Sequence, residues 1–295
     1  GTSDVTAIAN VHLRLSNGST IQNLDVSQAY LGESNVSITA GNYAVENINI
    51  TAFNDDSSDW GGGFASLDLG PGHVDVTGNI LVVGYSNEHA NLTGNIAGSN
   101  VNEIHIEAMN SSDVSANLVG NITVTGGIFV SVDRATYDLN LGSISMDHAF
   151  LTLSADHGIS FNNTTDIWLS SISGELSSLT LNANHSSNIV LDLSSGNLSM
   201  SSSVDTIHIE AMHSADVTAN ISGDITVTRG IFVSVDAASH DLNLGSISMD
   251  HAFLTLSADH GTSFNYTNDI WLSSVSGNMT DLTLHTDNNS NISID

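Results

Sequence analysis

Apolar and polar residues alternate along this chain in runs of four to six, separated by Gly, Asn, Asp or Ser. Alternation with a period of two marks a strand with one buried face. In GIFVSVD (127–133), Ile128, Val130 and Val132 fall on one side, and Phe129 and Ser131 on the other. The same bookkeeping puts Ala149, Leu151 and Leu153 inward with Phe150 outward, and Ile167 and Leu169 inward with Trp168 outward. No stretch sustains the i, i+3, i+4 apolar spacing of a helix, and β-branched residues dominate the apolar runs.

The runs recur. Strand starts at Ile122, Ile144, Ile167, Ile189, Ile207 and Ile225 are 22, 23, 22, 18 and 18 residues apart. A larger period lies above this one: DLNLGSISMDHAFLTLSADHG occupies 138–158 and returns at 241–261. Aligning 104–192 with 207–295 needs no gap, and 64 of 89 positions are identical. The chain therefore divides into 1–103, a first repeat at 104–206 and a truncated second copy at 207–295, each full repeat counting as five coils of about 20 residues. A β-sandwich also has many short alternating strands, but near-constant coil length with almost no Asn-Gly or Asp-Gly hairpin signal favours stacking over hairpins; SNG at 16–18 is the one tempting exception. The expected fold is all-β, a parallel β-solenoid of the right-handed β-helix kind, with coils about 4.8 Å apart. Residues 1–103 read as more diverged coils of the same stack. NDDSSDWGGGFA (54–65) interrupts them as a protruding loop, and Pro71, in GPG, marks a turn.

GNITVTGGIFVSV and LGSISMDHAFLTLSADHG resemble the haemagglutinin-type repeats of filamentous bacterial adhesins, most closely over 104–295. The resemblance implies an elongated, non-catalytic protein at the cell surface.

Composition sharpens this. The chain carries 32 acidic residues against three arginines and no lysine, a net charge of −29, which repels nucleic acid and anionic lipid. No apolar run is long enough for a membrane-spanning helix, so membrane insertion is not expected. Cysteine is absent, which excludes a disulfide scaffold. A lysine-free, Asn/Ser/Thr-rich chain fits an extracellular or cell-surface location.

Candidate chemistry is thin and duplicated. Asp147 and Asp156 recur as Asp250 and Asp259, so they read as turn formers or as oxygen ligands for Ca2+ rather than as a catalytic set, which rarely exists twice along one stack. His105 and Glu107 share a strand face, as do His208 and Glu210, giving metal-ligand pairs but not the three or four ligands that a transition metal needs. The outward aromatics Phe129, Phe150 and Trp168, repeated as Phe232, Phe253 and Trp271, mark a partner-contact surface. Phe129 and Phe150, 21 residues apart, are expected to stack as a ladder. Among fifteen Asn-x-Ser/Thr sequons, Asn121, Asn163, Asn197, Asn220, Asn265 and Asn278 are glycosylation candidates. No enzyme activity is expected. The chain reads as a structural subunit of an extracellular filament, sheath or adhesin, self-assembling into a homopolymer and able to take a glycan or surface ligand. The alternative is a carbohydrate-active β-helix, a polysaccharide lyase or depolymerase.

Overall fold

A computed structural model describes residues 3–7, 11–29, 33–39, 41–53, 64–85, 88–110, 112–133, 136–140, 143–156, 166–170, 172–184, 188–192, 204–212, 216–220, 224–236, 239–243, 246–259, 269–272, 275–287 and 291–294. These form a β-solenoid in which every strand pairing is parallel. Two compact units result, Gly1–Ser145 and Met146–Asp295. Their boundary falls inside the first sequence repeat. A repeat records duplication of the chain, whereas a compact unit records packing.

The first unit runs β1 (Ser3–Ala7), β2 (Val11–Arg14), β3 (Thr20–Ala29), β4 (Glu33–Thr39), β5 (Tyr43–Phe53), β6 (Phe64–Val76), β7 (Asn79–Tyr85), β8 (His89–Asn95), β9 (Asn100–Met109), β10 (Asp113–Val119), β11 (Asn121–Asp133) and β12 (Thr136–Asn140). The odd strands β1 to β11 stack as one face. The even strands β2 to β12 stack as the other. Strand β6 serves both: Phe64–Asp68 pairs with β4 and β8, whereas Val74–Val76 pairs with β5. The bend between them is the GPG turn, with Gly70 at φ +80°. SNG at 16–18 is likewise a corner between the two faces, not a hairpin, with the amide of Asn42 donating to Asn17 Oδ1 at 2.7 Å. Residues 54–63 of the expected loop lie outside the described residues; Phe64 and Ala65 open β6. The step from Ile48 to Ile80 across that segment is 32 residues, against 24 from Ile104 to Ile128, and β5 still pairs in parallel with β7.

The second unit holds most of β13 (Ser143–Asp156), then β14 (Asp166–Ser170), β15 (Ile172–Asn184), β16 (Asn188–Asp192), β17 (Val204–Met212), β18 (Asp216–Asn220), β19 (Asp224–Asp236), β20 (Ser239–Asn243), β21 (Ser246–Asp259), β22 (Asp269–Leu272), β23 (Val275–Asp287) and β24 (Asn291–Ile294). Here Leu179 lies opposite Ile207, Ile207 opposite Ile231, Ile231 opposite Leu254 and Leu254 opposite Leu282. The steps are thus 28, 24, 23 and 28 residues, so coils here average about 26 residues rather than 20. Because Leu282 is the repeat counterpart of Leu179, four coils, not five, span the 103-residue repeat. The strand-start rhythm had changed face: Ile144 and Ile207 start on the long-strand face, but Ile167 and Ile189 belong to β14 and β16 on the other.

Alternation turns this stacking into a core. Ile128, Val130, Val132, Ala149, Leu151, Leu153 and Ile167 are all essentially inaccessible, while Phe129 and Phe150 are half-buried on the outside. Parallel in-register coils also place like side chains one strand spacing apart, and amides exploit this. Asn47 Nδ2 donates to Asn23 Oδ1 at 2.9 Å, the Asn79 amide to Asn47 Oδ1 at 3.0 Å, and Asn102 Nδ2 to Asn79 Oδ1 at 2.8 Å. On the other face Asn91 Nδ2 donates to Ser66 Oγ and Ser115 Oγ donates to Asn91 Oδ1. Each link satisfies polar groups that would otherwise compete for water at a crowded surface.

Candidate functional site

The outward side of the long-strand face carries one motif twice. On β9, His105 stands between two carboxylates, with Nε2 3.3 Å from Glu107 and Nδ1 3.9 Å from Glu103. The next coil places Phe129 opposite His105, and the two rings sit 4.5 Å apart. On β17 the arrangement recurs: His208 Nε2 is 3.6 Å from Glu210, and its ring stacks on Phe232 at 4.7 Å with a 23° interplanar angle. The equivalent of Glu103 is Thr206, so the second copy has one carboxylate fewer. The spacing His-x-Glu brings each pair together because residues two apart on a strand share a face. Glu103 and Glu107 approach opposite nitrogens of one imidazole and so cannot converge on a single ion. Among the described residues no group of three or more His, Asp or Glu is arranged to hold a metal.

The other candidates separate in the same way. Asp147 and Asp250 are exposed. Asp250 Oδ1 lies 2.8 Å from His251 Nδ1, and His251 has φ +54° at a break in the β21–β23 register. The duplicated Asp-His pair thus marks a β-bulge there. Asp156 and Asp259 close β13 and β21, and their side chains lie outside the described residues, as do those of Trp168 and Trp271 on β14 and β22. Phe232 and Phe253 do not form a ladder with each other. The step between their coils is 23 residues, not 21, so Phe232 meets Thr255, and the Phe253 ring lies over Gly230, which has no Cβ to block it. Of the glycosylation candidates, Asn121 at the start of β11 and Asn278 on β23 are exposed; Asn163, Asn197, Asn265 and the side chain of Asn220 lie outside the described residues.

The feature that sequence reading missed is on β23. Met279, Leu282 and Leu284 are 44, 48 and 50% exposed, although their first-copy counterparts Leu176, Leu179 and Leu181 are fully buried. The two strands share five of 13 letters, among them the LTL that carries Leu179 and Leu181 in one copy and Leu282 and Leu284 in the other. The difference is the neighbour: β15 is covered by β17, with Ile207 opposite Leu179 and Ile209 opposite Leu181, whereas β23 pairs with β21 and no second described strand. An unpaired strand edge beside a row of exposed core-type side chains is a ready template for another strand. Alternation in DLTLHTD flags the apolar set, but not whether a further strand lies over it.

No family model matches the chain, and comparison with curated proteins and with solved structures finds no match.

Proposed function

We propose that this protein is a structural subunit of an extracellular filament, sheath or adhesin, assembling through end-to-end and lateral contacts of β-solenoids. The observation that supports the reading best is the all-parallel stack of coils that carries the outward column His105–Phe129 again as His208–Phe232. The repeated outward columns His105–Phe129 and His208–Phe232 offer matching lateral contacts, and the likeness to filamentous adhesin repeats points the same way. A chain of net charge −29 repels its copies, so assembly should rise with ionic strength as that repulsion is screened.

Negative-stain electron microscopy and sedimentation velocity test this over a range of protein and salt concentrations. Polymers that lengthen with salt are the expected outcome. A chain that remains monomeric throughout would overturn it. Depolymerisation of an acidic polysaccharide by the purified chain, with or without Ca2+, would replace it by the carbohydrate-active alternative.

A further inference from the structure

We infer that the outward side of β5, β7 and β9 docks an extended cationic segment of another protein. The apolar side chains of that segment lie on Leu81, Val83 and Tyr85, and its Lys or Arg side chains meet Glu103 and Glu107. The contact goes beyond the assembly reading and does not depend on it.

The outward row of β7 differs from its counterpart in the second unit. There the strand laid against the His-x-Glu strand is β15, and it sets Thr180 opposite His208 and Asn182 opposite Glu210, with Asn184 two residues further on. In the first unit β7 sets Leu81 opposite His105, Val83 opposite Glu107 and Tyr85 opposite Met109. Thr and Asn are therefore enough to build a strand at that place, and stacking does not call for outward Leu, Val and Tyr. The preceding coil extends the row: Phe53 lies opposite Tyr85, their rings stack 5.3 Å apart, and Phe53 is 46% exposed. Leu81, Val83, Tyr85 and Met109 are half-buried on the outside. A contiguous apolar patch on the outside of a sheet marks a contact surface.

Charge decides what fits there. His105 stands between Glu103 and Glu107, 3.9 and 3.3 Å away, so one imidazole serves two carboxylates. None of β5, β7, β9 and β11 carries lysine or arginine. In the second unit Thr206 replaces Glu103, so the apolar row and the extra carboxylate occur together and only beside His105. Carboxylates along an apolar row attract a cationic partner and repel an acidic one. A second copy, with net charge −29 and no lysine, brings the wrong charge. Size points the same way. The row from Leu81 to Tyr85 is about 13 Å long, and β5 to β9 spans about 10 Å. That area is well under the roughly 800 Å2 that each partner contributes to a stable interface between folded proteins. It suits a short extended segment with alternating apolar and basic residues.

Fluorescence anisotropy of a fluorescein-labelled decapeptide of alternating lysine and leucine tests this, at low ionic strength and at a protein concentration where sedimentation shows monomer. Leu81→Thr/Val83→Asn/Tyr85→Asn gives β7 the outward row of β15 and leaves the net charge unchanged. It should keep the far-UV circular dichroism spectrum and bind the peptide roughly tenfold more weakly. Equal affinity would mean general attraction to an acidic chain and would overturn the inference. Glu103→Gln/Glu107→Gln leaves the apolar row in place and should weaken binding about fivefold while flattening its salt dependence. Unchanged affinity in that variant would overturn the inference as well. A peptide of alternating lysine and serine should bind the native chain and the triple variant alike; a clear preference for the native chain would show that apolar contact is not what the row supplies. Self-association of the peptide-free chain that the triple variant loses would make the row a contact between copies, and the cationic partner would fall.

Discussion

Leu179 and Leu282 occupy the same place in the two repeats, and truncating each to alanine isolates what a covering coil contributes. Leu179 is fully buried beneath β17, so Leu179→Ala removes a core side chain and leaves a closed cavity; the expected cost is about 2–5 kcal/mol. Leu282 is 48% exposed. Its partial burial contributes roughly half of the about 1.5–3 kcal/mol of a fully buried leucine, and the space it leaves opens to solvent rather than forming a void, so Leu282→Ala should cost about 1 kcal/mol. With a urea dependence of roughly 2–3 kcal/mol per molar, the two midpoints should differ by about 1 M. The assay is urea unfolding by far-UV circular dichroism at a concentration where sedimentation shows monomer. Equal midpoint shifts would refute the reasoning, because Leu282 would then be covered in the monomer.

Other outcomes follow from single residues. Gly70 and Gly98 both have φ +80°, but a Cβ at Gly70 would lie 2.0 Å from the Ile38 carbonyl oxygen, whereas nothing lies within 4 Å at Gly98. Gly98→Ala should therefore cost only the left-handed strain of about 1–2 kcal/mol, and Gly70→Ala clearly more, because backbone must move; equal unfolding midpoints would contradict this. Glu88 is fully buried and neither carboxyl oxygen has a hydrogen-bond partner among the described residues. Glu88→Met should raise the urea midpoint by about 1–3 kcal/mol equivalent, and a loss of stability would mean that the carboxyl has a partner. Burial, reinforced by the charge of Asp68, pushes the Tyr43 phenol well above the usual tyrosine range, and its hydroxyl donates to the Leu69 carbonyl at 2.9 Å. A raised folded value favours the protonated form, so this contribution to stability is complete below about pH 10 and declines as pH rises above it. In a spectrophotometric titration of the folded protein, one of the five tyrosines should ionise only with unfolding, and Tyr43→Phe should abolish that late step. Five tyrosines titrating together would contradict it.

Much of the core was legible because alternation is local. Ile128, Val130, Leu151 and Ile167 could be assigned inward from their immediate neighbours, and they are buried. The coil length was not, because successive strand starts belong to two faces and the sequence does not label them. The same blindness misplaced the phenylalanine ladder: a two-residue difference in coil step moves Phe253 from beside Phe232 to over Gly230. The asparagine chain through Asn23, Asn47, Asn79 and Asn102 was hidden for a related reason, since its members stand 24, 32 and 23 residues apart and line up only once the unequal coil steps are known.

By itself the sequence determined that the chain is made of strands, that it contains one long unit twice, and which side of each strand is apolar. Tertiary structure decided how many residues make a coil, which side chains meet across coils, and that Leu179 is buried while Leu282 is half exposed within the same LTL letters. The reason is physical: a strand's own residues set which way its side chains point, but whether they are shielded from water depends on the strand laid against its far edge, and that neighbour lies a full coil away.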